Sequence, residues 1–398
     1  MLEPETYEPP ASSIITELYT KDRQRRKAMY PNNPNGYNGN SPYQGNYNGS
    51  VPPYHQYSPQ PPYGGFYGQP IWLDPHEAQR RKERKSLKKS MNWFGGAALL
   101  TLAFEIVFSS LAMLLFMSFG LNMTDFYENA FIYVFFSPLC IVLPFVIASR
   151  ACKNHVSDVA TFKKHSPLLG IGVFFLAFWG ITAGNMAADM LTTLFPVLES
   201  SSEAASLPAA ENMRAVITEL LYAAAIPALM EELAFRGIVT GGLRRWGDKF
   251  AIIMGSVIFA LVHGNLIQMP ATFLAGIFMG YAYVRTECLW TSIAIHFVNN
   301  AMSTALSTLS SNSARFAFMN EAWFGYALYA AWILLGLLGF LLVKIHDRRL
   351  KGAPALKCYE GCLDPRSIPG TAVSSPAFIV AAIVYVVYAF AINGLVSL

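Results

Sequence analysis

Nine apolar runs follow one another from residue 93 almost to the end of this 398-residue chain. A helix needs about 20 predominantly apolar residues to cross the hydrocarbon core of a membrane. We therefore predict an all-α fold, a polytopic transmembrane bundle of about eight or nine helical spans. The fifth and sixth runs are short. The runs lie at 93–119, 129–149, 168–196, 214–241, 250–265, 270–284, 288–308, 322–343 and 377–397.

Lys and Arg residues are distributed unevenly between these runs. Of the 29 in the chain, 21 flank the side that we assign to the cytoplasm, whereas Arg214 and Arg315 alone flank the other side. Basic flanks stay in the cytoplasm, so nine spans predict a cytoplasmic N-terminus. The basic run at 80–89 directly precedes a span, and it is typical of a membrane anchor. The basic residues beside the spans explain the net charge of +4 as a feature of membrane topology. We therefore expect no nucleic-acid partner.

The first 78 residues differ from the rest of the chain. From Pro31 to Pro70 they are mostly Pro, Asn, Gly, Tyr, Gln and Ser, with almost no aliphatic residues that could form a core. We predict a disordered cytoplasmic tail over 1–78, a basic juxtamembrane segment over 79–92 and a transmembrane domain over 93–398. Because no apolar run with a cleavage site lies near Met1, we expect the first span to direct membrane insertion.

The five cysteines predict neither disulfides nor a metal site. Four of them lie on predicted cytoplasmic flanks, where disulfides are rare. Cys358 and Cys362 form a C-x3-C pair with no nearby histidine or second cysteine pair. A structural zinc site needs four ligands.

Ionisable residues inside the apolar runs indicate function, because a charge at bilayer depth costs roughly 2.5 to 3.5 kcal/mol. Two adjacent glutamates, Glu231 and Glu232, interrupt the fourth run. Spacing of four residues places two side chains on one helix face. Glu232 can therefore pair with Arg236, and His296 can point with Asn300 into one cavity. Glu231 lies about 100° around the helix from Glu232 and is free for another partner.

Depth along the helices brings the polar residues of three spans to one layer. Each residue of helix adds roughly 1.5 Å, which places Glu231, His263 and Asn300 about 20 Å from the nearest cytoplasmic charge and His296 about 14 Å from it. We therefore expect the three spans to present these side chains to a common interior cavity.

Three motifs carry a family resemblance: Glu-Glu-x-x-x-Arg at 231–236, Phe-x-x-x-His at 259–263 and His-x-x-x-Asn at 296–300. In this order they resemble the CPBP family of intramembrane proteases, which includes the CAAX prenyl endopeptidases and the bacterial Abi proteins. The resemblance covers about residues 213–301. One departure is Glu287, which stands where the family commonly has glycine in a turn.

The resemblance implies an endopeptidase that cuts a membrane-associated peptide or protein. Glu231 and His263 would activate a water molecule, and His296 and Asn300 would hold the oxyanion. Three further residues would support the site: Glu232, Arg236 and Phe259. The expected partners are that substrate and the lipid bilayer.

Two mechanisms stay open for such a site. We favour metal-free glutamate catalysis without a cofactor, because the chain has no His-Glu-x-x-His helix of the zinc protease type. The alternative is a metalloendopeptidase whose zinc is held by Glu231, His263 and His296, with the fourth position left for water.

Two other functional classes also stay open. A peptide-binding or bacteriocin-immunity type protein would use the cavity without cutting, and a transporter would need a polar path through the bundle. Interhelical hydrogen bonding is a further explanation for four polar residues in the spans. They are Glu105, Asn185, Asp189 and Glu219. The tail composition and the lack of eukaryotic sorting signals predict a bacterial plasma membrane.

Overall fold

The computed structural model describes residues 75–120, 126–195, 213–312, 314–350 and 356–392. The predicted disordered tail lies outside the described residues as far as residue 74. In the described ranges the chain is helical, with one isolated β-bridge between Phe162 and Cys288 and no longer strand. The prediction of an all-α helical bundle is confirmed for this part of the chain.

Within the described ranges, each of the nine predicted spans coincides with a helical segment. These segments are α1 to α7, α9 and one unnumbered segment. We call the segment of residues 213–243 the π-bulged helix, and it lies between α3 and α4 in the chain. The last predicted span corresponds to α9, which follows the short α8. The numbered helices are α1 (Pro75–Phe119), α2 (Phe126–Ala151), α3 (Pro167–Leu194), α4 (Asp248–Val262), α5 (Gln268–Thr286), α6 (Leu289–Asn312), α7 (Ala322–Arg349), α8 (Ser367–Val373) and α9 (Pro376–Ile392).

In the part of the chain that the structure describes, four helices, namely α1, α2, α3 and α7, are long and apolar enough to cross a membrane. The number rises to five if α8 and α9, which meet at a bend of 66°, are counted as one broken span. These helices make the chain an integral membrane protein. The larger number of eight or nine spans stays a prediction.

Helix α1 joins two regions that the sequence separated. It begins at Pro75, so residues 75–78, which we assigned to the tail, are helical. Proline suits the first position of a helix, where its missing N–H is not needed. The basic juxtamembrane segment continues into the first span without a break, as one helix of 45 residues.

The π-bulged helix changes its hydrogen-bonding pattern twice. It is π-helical over Leu220–Ala225 and again over Glu232–Thr240, with Ile226–Glu231 α-helical between them. An α-helix would use the N–H of residue 227 for the Ala223 carbonyl, but residue 227 is proline and has none. A wider turn in front of Pro227 is therefore expected. Such π-helical turns are frequent at functional sites.

Close helix contacts hold the surroundings of the site together. A Cβ atom on Gly276 of α5 would lie 2.9 Å from the Cβ of Ser256 on α4. A Cβ on Gly255 of α4 would clash with Oγ1 of Thr240 on the π-bulged helix. The π-bulged helix, α4 and α5 thus approach one another at points where only glycine fits. The π-bulged helix carries Glu231, and α4 carries Phe259.

Candidate active site

A cavity of about 170 Å³ opens between the π-bulged helix, α3, α4, α5 and α6. Its lining includes all four residues that the family resemblance nominated for catalysis, Glu231, His263, His296 and Asn300. They come from three helical segments that are far apart in the sequence. The expected meeting of these residues in one interior cavity is therefore present in the structure.

Glu231 presents a free oxygen to this cavity. Its Oε2 is buried and has no hydrogen-bond partner among the described residues. It lies 4.0 Å from Nε2 of His263 and 3.9 Å from Nε2 of His296. Both distances exceed hydrogen-bonding range. One carboxylate oxygen and two ring nitrogens therefore face one another around a space of atomic size.

His263 is positioned by the end of α4. The helix ends at Val262, and Gly264 adopts a φ of +59°, a left-handed conformation that glycine accepts without strain. Nδ1 of His263 lies 2.8 Å from the carbonyl oxygen of Phe259. A carbonyl oxygen can only accept, so we assign the proton to Nδ1. In the neutral ring, Nε2 then carries a lone pair and faces Glu231.

His296 is held by a buried ion pair. Glu232 is fully buried, and its Oε1 lies 2.7 Å from Nη1 of Arg236 and 2.9 Å from Nδ1 of His296. The pair of Glu232 with Arg236, which the four-residue spacing predicted, is present. The contact with His296 spans 64 residues of sequence and was not predicted. Glu232 accepts from Nδ1, which leaves Nε2 of His296 directed toward Glu231.

Phe259 packs between these groups. The guanidinium carbon of Arg236 lies 4.0 Å from the centre of the Phe259 ring, within cation–π range. The ring also meets His263 edge to face, with 4.5 Å between the two ring centres. Phe259 therefore limits the positions of Arg236 and His263 through packing, as expected for a supporting residue.

Asn300 is oriented by two hydrogen bonds. Its Nδ2 donates to the carbonyl oxygen of Ala223 at 3.2 Å, and its Oδ1 accepts from Nδ2 of Asn299 at 3.1 Å. The Ala223 carbonyl is the one that Pro227 cannot serve. Asn300 consequently keeps one N–H available. Asn299, which also lines the cavity, was missed by the sequence reasoning.

The other polar residues of the spans are distributed differently. Asn185 lines the cavity, whereas Glu105, Asp189 and Glu219 do not. Asp189 accepts a hydrogen bond of 2.7 Å from the Tyr329 hydroxyl, and Glu219 accepts one of 3.3 Å from Thr308. Hydrogen bonding between helices thus accounts for Asp189 and Glu219.

The geometry of the cavity does not match a zinc site as it stands. Zinc ligands at 2.0–2.1 Å in tetrahedral arrangement lie about 3.3 Å from one another. The distances from Glu231 to the two histidines, 3.9 and 4.0 Å, are larger. Within the ranges given above, no group of three or more His, Cys, Asp or Glu side chains is arranged to hold a metal ion.

Glu287 occupies the turn that departs from the family pattern. Its φ is +49°, a left-handed conformation that favours glycine, directly after the end of α5. The carboxylate lies 2.5 Å from Lys163, 3.2 Å from Arg244 and 3.3 Å from Lys357. Burial alone would raise the pKa of Glu287. The hydrogen bond from Lys163 and the charges of Lys357 and Arg244 outweigh burial and lower this pKa from 4.5 to about 2.

Comparison with known proteins addresses the segment that holds the cavity. Residues 213–302 match the profile of the family described as Type II CAAX prenyl endopeptidase Rce1-like. This segment is therefore similar to Rce1-like domains. It contains Glu231, His263, His296 and Asn300, together with the π-bulged helix.

This chain is also similar to a curated protein of Bacillus subtilis (strain 168) named "Putative membrane peptidase YdiL". The two chains are 29% identical over 89 residues, which make up 22% of this chain and 36% of the relative. The matched segment thus spans about a third of the relative's length. No solved structure is significantly similar to this chain. The family and the relative together support the membrane protease class.

Proposed function

We propose that this protein is an intramembrane endopeptidase that hydrolyses a peptide bond of a membrane-associated substrate. One observation carries the proposal. The unbonded Oε2 of Glu231 lies 4.0 Å from Nε2 of His263 and 3.9 Å from Nε2 of His296, in a cavity inside a membrane protein. The Glu231 oxygen is too far from either ring nitrogen for a direct hydrogen bond. At such distances one water molecule can form hydrogen bonds with both atoms of a pair.

In this proposal Glu231 is the general base. Water donates one hydrogen bond to Oε2 of Glu231 and the other to the lone pair on Nε2 of His263. As the water oxygen attacks the peptide carbonyl, its proton passes to Glu231. Glu231 then delivers that proton to the leaving amine when the C–N bond breaks. The second water proton leaves the new carboxylic acid through His263.

His296 and Asn300 stabilise the oxyanion in the same scheme. His296 can donate through Nε2 only as an imidazolium, because Nδ1 already donates to Glu232. A charged His296 with Arg236 balances the two carboxylates of Glu231 and Glu232, so the cluster is then neutral. Asn300 adds its remaining N–H. One such donor contributes roughly 3 to 4 kcal/mol to transition-state stabilisation.

We propose that the reaction proceeds without a metal, with zinc as the alternative. The carboxylate and the two imidazoles are the right kinds of ligand, but their separations would have to shrink by about 0.6 Å for tetrahedral zinc. Metal analysis of the purified protein, combined with activity after chelation and after zinc is restored, distinguishes the two. Activity that disappears with the chelator and returns with zinc would overturn the metal-free proposal.

We further propose that the protein lies in a bacterial plasma membrane with a cytoplasmic N-terminus, and that its partners are the bilayer and a peptide or protein substrate. The basic flanks of the helices support this orientation. Reporter fusions at the N-terminus and between α6 and α7 would test it, since these sites are expected on opposite sides of the membrane.

Comparing the membrane peptidome of cells that carry the parent protein with that of cells that carry Glu231→Gln tests the proposed activity. We expect an uncut substrate to accumulate in the variant cells and its fragments to disappear, with rates at least about 1,000-fold lower. The matched control is Asp189→Asn, which changes a carboxylate of α3 outside the cavity. An identical peptidome in parent and Glu231→Gln cells, at equal protein levels, would count against a protease and favour a protein that binds peptides without cutting them.

A further inference from the structure

A second depression lies between α3, α4, α5 and α7 and shares no lining residue with the catalytic cavity. Its volume is about 500 Å³, and we call it the apolar groove. The two spaces lie on different faces of α5. Ala275 and Met279 line the catalytic cavity, whereas Ile277 and Phe278 line the apolar groove. A ligand in the groove would therefore leave the catalytic cavity accessible.

The walls of the groove are apolar and partly exposed. They include Trp179 of α3, Ile253 of α4 and Phe340 of α7. Ile253 is 48% exposed and Phe340 is 51% exposed, so the groove opens outward from the bundle. In a membrane protein, an outward apolar surface of this kind contacts lipid chains.

One end of the groove is positively charged. Lys249 lies in the first turn of α4, one turn before Ile253, and Lys344 lies near the end of α7, one turn after Phe340. Each lysine is thus about 6 Å further along its helix than the apolar wall residue, toward the same end. This end carries the basic flanks that we predict to be cytoplasmic.

Both lysines are available to a ligand. Lys249 and Lys344 are exposed, and neither forms an ion pair within the part of the chain that the structure describes. The Lys344 ammonium lies 5.0 Å from the centre of the Phe340 ring. Asp347, the carboxylate at this end, is paired with Arg285. The mouth of the groove therefore has two uncompensated positive charges.

We propose that the apolar groove is a binding site for an anionic phospholipid. Its phosphate lies between Lys249 and Lys344, and an acyl chain follows the apolar wall toward the centre of the membrane. A zwitterionic lipid would use the wall but gain little from the lysines, and a soluble phosphate would use the lysines but not the wall. Only an anionic lipid matches both features, and basic sites between helices bind such head groups. This inference does not depend on the proposed protease activity.

Native mass spectrometry of the full-length protein in detergent tests the proposal. The protein is titrated with phosphatidylglycerol, with phosphatidylcholine of the same acyl chains and with glycerol phosphate as the head group alone. We expect the protein to prefer phosphatidylglycerol. In Lys249→Gln/Lys344→Gln the Kd for phosphatidylglycerol should rise about 10- to 30-fold, while the Kd for phosphatidylcholine stays unchanged.

Two further variants separate the head-group contact from the chain contact. Ile253→Trp fills the groove and should weaken both lipids without changing the charge. Lys82→Gln/Lys85→Gln removes two exposed lysines of α1 outside the groove and should leave the preference intact. If the double glutamine variant does not fold, Lys249→Arg/Lys344→Arg replaces it and should keep the preference, because it keeps the charge.

Several results would overturn the proposal. They are an unchanged Kd in the folded Lys249→Gln/Lys344→Gln variant, an equal loss in the α1 control, or loss of the preference in a folded arginine variant. Glycerol phosphate that competes as well as the intact lipid would show that the lysines bind a free anion and that the apolar wall has no part in it.

Discussion

Two groups of charged residues in this protein use a carboxylate in opposite ways. Beside the cavity, Glu232 is fully buried, and its two partners are Arg236 of the same helix and His296 of α6. At the turn between α5 and α6, Glu287 is 24% exposed and binds three long side chains. A buried ion pair is costly to break because the remaining charge has no water to solvate it. The ion pairs of Glu287 are partly exposed and are screened by water, so their loss costs little stability.

The largest expected effect on stability breaks the buried pair. Glu232→Gln leaves the Arg236 guanidinium buried without its counter-charge, and we expect the free energy of unfolding to fall by about 3 kcal/mol. Glu231→Gln should lower it by less, about 1 kcal/mol, because Oε2 of Glu231 has no hydrogen bond to lose and only its part in the charge balance of the cluster is removed. Reversible unfolding in mixed micelles with added SDS measures both values.

A double variant serves as the control for this difference. Glu232→Leu/Arg236→Met replaces both charges by apolar groups of similar size, which should recover part of the lost stability while activity stays absent, because His296 still lacks its partner. Equal destabilisation by Glu231→Gln and Glu232→Gln would remove the distinction between a carboxylate that reacts and one that holds its neighbours.

A smaller effect is expected at Asn299, which positions Asn300 without a proposed contact to the reacting atoms. In Asn299→Ala the amide of Asn300 loses the donor that determines which of its ends faces Ala223. We expect kcat on a substrate found in the peptidome to fall about 10-fold, with KM unchanged, because the loss concerns the transition state.

Asn185→Ala is the matched control, because Asn185 lines the same cavity from α3. It should leave kcat within about twofold, since it holds neither Asn300 nor a proposed oxyanion donor. A change in KM alone for Asn299→Ala would assign this residue to substrate binding and contradict the positioning role.

The smallest effect concerns Glu287 and depends on pH. The pKa of Glu287 is about 2 in the folded protein, below its ordinary value of 4.5, so folding favours the ionised carboxylate. The stabilisation is complete above about pH 4.5 and is lost as the pH falls toward 2. Its size should be about 1 kcal/mol or less, because the site is partly exposed.

Glu287→Gln should abolish this pH-dependent stabilisation. Melting curves of the parent protein and the variant between pH 6 and 3 would measure the effect. Glu287→Gly provides a second comparison, because glycine accepts the φ of +49° without strain. We expect the glycine variant to be more stable than the glutamine variant by up to about 1 kcal/mol. The reverse order would mean that the backbone of this turn is not strained.

Local periodicity was sufficient for much of the site. The pair of Glu232 with Arg236 and the shared direction of His296 and Asn300 both follow from four-residue spacing. Asn299 could have been found in the same way, because it lies three residues after His296 and residues three apart also share a helix face. The two π-helical stretches could not be located in this way. Pro227 gives a physical reason for the first of them only after its position in the helix is known.

Contacts between distant segments were beyond the reach of the sequence. The hydrogen bond between His296 and Glu232 joins α6 to the π-bulged helix, and its existence depends on how these helices pack. The same is true of Glu287: the sequence marked it as a departure from the family turn, but its partners Lys163, Arg244 and Lys357 come from three other segments.

The sequence by itself determined that this chain forms apolar helices, and which polar residues share a helix face, because helical hydrogen bonds are local and repeat with a fixed period. Only the tertiary structure decided which faces meet, which of two adjacent glutamates keeps an unbonded oxygen in the cavity, and which lysines stay unpaired beside an apolar groove. Those outcomes depend on close packing between segments far apart in the chain. That packing results from side-chain shape along whole helices, as at Gly255 and Gly276, and not from any single motif.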